Sequence, residues 1–262
     1  FSEPHGDLKR ILGTQKVIRT LMEHVSDWPE DISNGTLLVM DKYMDYALDP
    51  IAERSNVFNS VLYKWLHSED YSMVKYSVPH FADFFRGLRA ILNLLEGLDL
   101  PPNIGIYIER IAQILKIEPL DDLSKSERNS KFSIRDNLYY GHYLRTKYRN
   151  KTLELMDIYS RLDAWYSMAV AVKTYGLTFP EFTEQEKPIV EAKGLYHILL
   201  PNPVAYDLQM NPDHNFVFLT GANMAGKSTL IKSVGSAVFL AHIGMGVPAQ
   251  SMRLTLFDGL IS

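Results

Sequence analysis

Between residues 220 and 229 the chain reads Thr-Gly-Ala-Asn-Met-Ala-Gly-Lys-Ser-Thr. The spacing G-x-x-x-x-G-K-[ST] binds phosphate when a strand precedes it and a helix follows. Both contexts are expected here: Asn215-Phe-Val-Phe-Leu-Thr220 is a short apolar run of β type, and Leu230, Ile231, Val234 and Val238 repeat at helical spacing. In that arrangement Gly221 turns the chain off the strand. Gly226 lets the backbone close on phosphate oxygens, with loop N–H groups pointing inward at the helix start. Lys227 would neutralise β- and γ-phosphates, the Ser228 hydroxyl would help hold Mg2+, and Thr229 would reach the α-phosphate. The expected nucleotide-binding residues are therefore Gly221, Ala222, Asn223, Met224, Ala225, Gly226, Lys227, Ser228 and Thr229, with ATP and Mg2+ as cofactors. The plain alternative, a glycine-bearing turn with an exposed lysine, accounts for neither the strand-type run nor the serine.

A metal-binding acid is harder to place. Leu254-Thr-Leu-Phe-Asp258 resembles a strand ending in such an acid, but Gly259 follows where a water-activating Glu often sits. The segment reads instead as an adjacent strand with a turn Asp. Only 34 residues follow Ser228, fewer than a doubly wound nucleotide domain uses. The chain is expected to cradle phosphates without hydrolysing ATP by itself, and no catalytic residue is assigned.

The elements that must position this loop are mostly helical. Residues 1–119 carry prolines at 4, 29, 50, 79, 101, 102 and 119, spaced so that ordinary helices fit between them. Phe81, Phe84, Phe85, Leu88, Ile91, Leu92 and Leu95 recur at three- and four-residue steps, predicting an amphipathic helix that stops near Gly97. Ile104, Ile108, Ile111 and Leu115 make a second stripe. From Leu120 to Phe179 there is no proline, and Leu155, Ile158, Leu162, Trp165, Ala169 and Val172 form the seam of a long helix ended by Gly176 and Pro180. Such a stripe is ordinary core packing, and a long stiff helix can also join distant sites. Thr178–Pro188 reads as a linker. The expected architecture is a mostly α region over 1–187, followed by an incomplete α/β P-loop NTPase domain over 188–262.

Composition sets outer limits. The 262 residues are 46% hydrophobic and 22% charged, with a formal net charge of −4, which excludes a uniformly basic nucleic-acid coat. A local basic stretch exists: residues 124–151 hold eight Lys and Arg against two acids, with Tyr139, Tyr140, Tyr143 and Tyr148 interleaved. Within it Arg145, Lys147 and Arg149 are candidate DNA contacts, because cations neutralise phosphates and aromatics stack on bases. A solvated helix face is the plain alternative. Cysteine is absent, so there is no disulfide framework and no thiolate metal site. That leans toward an intracellular, cytoplasmic location. The opening Phe-Ser-Glu-Pro-His-Gly has no signal pattern, and no run has the length and apolarity of a membrane span. The chain is read as a piece of a larger soluble protein.

The Asn223-Met224 pair inside the phosphate loop resembles the MutS family of DNA mismatch repair ATPases. Ala241-His-Ile-Gly-Met-Gly-Val-Pro-Ala249 is similar to the family's Ala-Gln-Ile-Gly-x-x-Val-Pro-Ala run, and Pro203-Val-Ala-Tyr-Asp207 sits where the family contacts adenine. Leu162-Asp163-Ala164 with Pro180-Glu-Phe182 looks like the end of its lever helix. The departures are Pro203 in place of a phenylalanine that stacks on adenine, Tyr206 in place of Asn, and Ala222 and Ala225 in place of Pro and Gly. They leave the backbone of Val204 as the implied base contact. No mismatch-reading, connector or inserted clamp domain is visible, so the match is to MutS-like members that keep lever and ATPase. The resemblance implies an ATP-dependent DNA-binding protein of repair or recombination. It implies a homodimer in the full-length protein, with ATP binding and hydrolysis coupled to lever movement. A second reading is a non-enzymatic helical scaffold with a truncated or decayed ATPase domain. A small-molecule phosphotransferase fits the Asn-Met pair and the long helix poorly.

Overall fold

A computed structural model describes residues 4–52, 56–222 and 226–259. The chain divides into two compact units, one of residues 27–100 and 104–162, the other of residues 1–26, 101–103 and 163–262. The position at 188 lies inside the second of these.

The first unit is helical: α2 (Asn34–Asp45), α3 (Val57–Leu66), α4 (Ser68–Leu95), α5 (Pro102–Ile114), α6 (Glu118–Lys125), α7 (Ile134–Arg145) and the first half of α8 (Arg149–Tyr175). α4 is its centre. The stripe read from the sequence is buried along one face at Phe81, Phe84, Phe85, Leu88, Ile91 and Leu95. Phe84 meets Tyr159 of α8 edge-on at 5.8 Å, and Phe81 meets Tyr43 of α2 at 5.5 Å. One expectation is corrected: Pro79 does not separate two helices but lies inside α4. The apolar face on both sides of it outweighs the missing N–H and the ring's clash with the preceding turn. Ser33 and Ser133 cap α2 and α7 through reciprocal bonds with Thr36 and Asp136.

In the second unit, α1 (Leu8–Met22) buries Ile11, Val17, Ile18 and Leu21. The second half of α8 buries Trp165, Ala169 and Val172, as its seam predicts. α8 ends where Gly176 takes φ +59°, and the Leu177 N–H returns to the Val172 carbonyl at 3.0 Å, a six-to-one closure that glycine permits.

Four strands follow: β1 (Glu181–Phe182), β2 (Val190–Leu195), β3 (Tyr206–Met210) and β4 (Ser251–Leu254), in the order β1-β4-β2-β3. β1 runs parallel to β4, and β2 is antiparallel to both β3 and β4. α9 (Lys227–His242) packs on one face, where Ala237, Val238 and Ala241 meet Val190, Ala192, Leu195, Met252 and Leu254. The alternation of β2 puts Glu191 and Lys193 on the other face. Gly194, at φ +59°, bulges β2, and its N–H is held by the Asp207 carboxylate at 2.8 Å.

Three further expectations change. The 178–188 stretch is not only a linker, because it supplies β1 and Thr178 exchanges two hydrogen bonds with Val247. The strand read at 254–258 begins earlier and ends at Leu254. The apolar run 215–220 forms no strand: no ladder partner faces it among the described residues, and Phe216 and Phe218 are 79% and 81% exposed. β-type side chains favour a strand, but hydrogen-bonded pairing makes one. The described fold is thus mostly helical with a small mixed sheet.

Candidate nucleotide site

The start of α9 carries no side-chain cap. Its N-cap, Gly226, sits at φ +87°, ψ 9°, a left-handed conformation that disfavours a side chain. Glycine brings no capping oxygen, and no acid occupies the first turn. The helix therefore presents first-turn N–H groups and the positive end of its dipole with no carboxylate of its own to occupy them. The Lys227 Nζ turns back and donates to the carbonyls of Gly221 and Ala222, each at 2.6 Å. These bonds tie the start of α9 to the chain at Gly221 and Ala222. Ser228 is exposed and Thr229 half-buried. Asn223, Met224 and Ala225 lie outside the described residues.

β3 is tied to this turn. The Tyr206 hydroxyl donates to the Leu230 carbonyl at 3.1 Å, and partial burial pushes its phenol above the usual value. Val204, two residues before β3, is 84% exposed. Tyr206, a departure from the family's Asn, thus fastens the 203–207 segment to the helix carrying Lys227.

Asp258 lies toward the other end of α9. With His5, Val238, Phe239, His242 and Phe257 it lines a cavity of about 290 Å³. Ser228 is ten residues back along the helix, roughly 15 Å at 1.5 Å per residue. That placement suits a turn acid better than a metal ligand. His242, buried beside it, accepts the Phe257 N–H at Nε2 (2.9 Å) and has Nδ1 at 2.8 Å from the Val238 carbonyl. Nothing in the sequence marked this bracket.

The basic segment lies in the helical unit, and Arg145, Lys147 and Arg149 are engaged there. The Arg145 guanidinium donates to the carbonyls of Tyr43 and Tyr46 at the end of α2 and lies 5.7 Å from the Tyr43 ring. This is a cation satisfying the last carbonyls of a helix. Arg149 pairs with Asp45 at 3.7 Å, and Lys147 sits 5.4 Å from the Tyr148 ring centre. Tyr139 meets Tyr143 with tilted rings at 4.7 Å, and Tyr143 stacks on Tyr148 at 6.0 Å. Arg145 and Arg149 are therefore brought to one end of α2, with Arg145 turned inward, while Lys147 lies over the Tyr143 and Tyr148 rings.

Taken together, the observations define a class: a mainly helical chain carrying a small mixed sheet and a helix that starts at glycine-lysine-serine. The family model for MutS domain V matches residues 217–262, which include that helix start. Among curated proteins, the DNA mismatch repair protein MutS of Thermotoga maritima is 35% identical over 120 residues, 44% of this chain and 15% of that protein. MutS of Pseudothermotoga lettingae is 34% identical over 118 residues, covering 42% and 14%. MutS of Thermus thermophilus is 36% identical over 113 residues, covering 41% and 13%. The matches span about one seventh of these relatives' length, and they support a MutS-family member. Among the described residues no helix is long and apolar enough to cross a membrane.

Proposed function

We propose that the chain is the lever region and leading part of the ATPase of a MutS-type protein, acting on DNA in mismatch repair or a related repair or recombination process. In this reading the 221–229 turn holds the phosphates of ATP. Lys227 moves from its carbonyl partners to the β- and γ-phosphates, Ser228 contributes a hydroxyl to Mg2+, and the Val204 backbone meets the base. The metal supplies charge neutralisation between phosphates. α8 carries the lever, the basic segment around Lys147 and Arg149 meets DNA, the full-length protein is a homodimer, and it works in the cytoplasm.

The observation that supports this most is Lys227, directly after left-handed Gly226, turned across the loop onto Gly221 and Ala222. An ammonium held by two neutral carbonyls is readily drawn to a phosphate, which offers a full charge. The site of Asp258, toward the far end of α9, favours binding over hydrolysis for the described residues, which keeps a docking module as the second reading.

The test is a titration with a fluorescent ATP analogue and Mg2+. Saturable binding is expected, weakened about ten- to a hundredfold by Lys227→Ala, the loss of one charge-assisted contact of ~1.5–3 kcal/mol. Absence of saturable binding by the unaltered protein refutes the reading.

A further inference from the structure

The exposed side of α7 carries a row of cations and aromatic rings. Asn137, Leu138, Gly141 and Leu144 are the buried residues of this helix. At 3.6 residues per turn, Arg135, Tyr139 and Tyr143 follow one another at four-residue steps on the opposite side. Lys147 comes just past the helix end, with its Nζ 5.9 Å from the Tyr143 ring and 5.4 Å from the Tyr148 ring. The rings make a ladder: Tyr148 and Tyr143 stack at 6.0 Å, and Tyr143 meets Tyr139 at 4.7 Å with tilted planes. Its inner rung is buried, Tyr148 at 9%, and its outer rung is open, Tyr139 at 40%. Tyr140 braces Tyr139 edge-on at 5.3 Å. Arg135 and Lys147 are exposed.

An aromatic ladder open at one end and flanked by cations has the chemistry of a surface for unpaired nucleotides. Every base has a π-face on which a phenol ring can stack, whatever the sequence, and lysine and arginine neutralise the phosphates on either side. A duplex fits this face less well. Its bases are stacked on one another and offer only their edges in the grooves, so the rings would have nothing to stack on. Charge favours a polyanion over a protein partner. Residues 124–151 hold eight basic side chains against two acids. The one acid of α7, Asp136, is turned to the Ser133 N–H and hydroxyl. Core packing accounts for Tyr148 and leaves the open rung without a role.

We propose that this face of α7 binds single-stranded DNA, with Tyr139 and Tyr143 stacking on unpaired bases and Arg135 and Lys147 holding the flanking phosphates. This role rests on the basic segment meeting DNA, as proposed above, and adds the form of DNA that it takes.

Fluorescence anisotropy with a labelled oligothymidine strand and a blunt duplex of equal length tests it. The strand is expected to bind more tightly than the duplex. Tyr139→Leu should weaken strand binding about five- to a hundredfold, the loss of one stacked base, and leave duplex binding unchanged. Tyr139→Phe should bind as the unaltered protein does. Lys147→Gln should instead lower the slope of log affinity against log salt by about 0.7 for the strand. Irradiation of a bromodeoxyuridine-substituted strand should crosslink it to Tyr139 or Tyr143, a readout that needs no variant to fold. Equal strand affinity for Tyr139→Leu and the unaltered protein overturns the proposal, as does a crosslink confined to other residues. If Lys147→Gln still weakens duplex binding in that case, the DNA reading of the segment stands without it. If neither change alters binding to either form, that reading falls as well.

Discussion

Lys227 and Arg145 show how differently two cations are read at the scale of single residues. The spacing around Lys227 carries the phosphate-binding role proposed for it, because Gly221 and Gly226 lie within six residues of it. Arg145 was grouped with neighbours in a basic stretch, yet its side chain satisfies carbonyls about a hundred positions away, at Tyr43 and Tyr46. No local pattern announces such a partner. His242 belongs with Arg145. The N–H of Phe257 points at its Nε2, which fixes the ring proton on Nδ1, where it is donated to Val238. His242→Leu is expected to destabilise by about 1–3 kcal/mol, because the Phe257 N–H is left without an acceptor in a part-buried place. His242→Gln should recover most of that loss, since an amide can donate at one atom and accept at the other. Glutamine is also the residue in the run that 241–249 resembles. Urea unfolding of the three proteins checks the order, and equal midpoints for Leu and Gln contradict it.

Elements were legible where one periodic face decided them. The stripes of α4 and α8 are buried as read, apart from half-buried Leu92, because burial of a long apolar face outweighs local irregularity. The same fact explains Pro79. A proline signals a helix end only if nothing else holds the two halves in line, and in α4 Val78, Phe81 and Phe85 do so. Pro79→Ala should restore the missing N–H and raise stability by about 1–3 kcal/mol, seen as a higher melting temperature. A lower one would mean that the ring packs usefully. The run 215–220 misled for the opposite reason: a strand depends on another segment, and apolar content says nothing about where that segment lies. Between α5 and α8, Arg110 donates to Glu154 at 2.9 Å, and this bond holds the Glu154 carboxyl below its usual range. A lowered value in the folded state stabilises above the ordinary carboxylate range and is lost as pH falls through the folded value. Glu154→Gln should therefore lower the melting temperature at pH 7, and only slightly for so exposed a pair. The difference should close below pH 4, where an undiminished gap would assign it to packing.

At the scale of the whole chain, composition excluded a basic coat and a disulfide scaffold, and the sequence motifs pointed to the family supported by the comparisons. What it could not show was where α3 turns its apolar side chains: it has the residue content of a core helix, yet Phe58 and Trp65 are 74% and 77% exposed. Nor could it show how α9 is fastened. Tyr206 grips the carbonyl of Leu230 in its opening turns, while His242, in its last turn, holds Phe257. Sixteen residues of α-helix make a rod of roughly 24 Å that resists compression. A pull on Gly226 and Lys227 is therefore passed along the rod toward β3 at one end and the chain beyond β4 at the other, like a bolt with a latch at each tip. One hydrogen bond at each tip thus connects the two ends of this part of the molecule through a stiff rod.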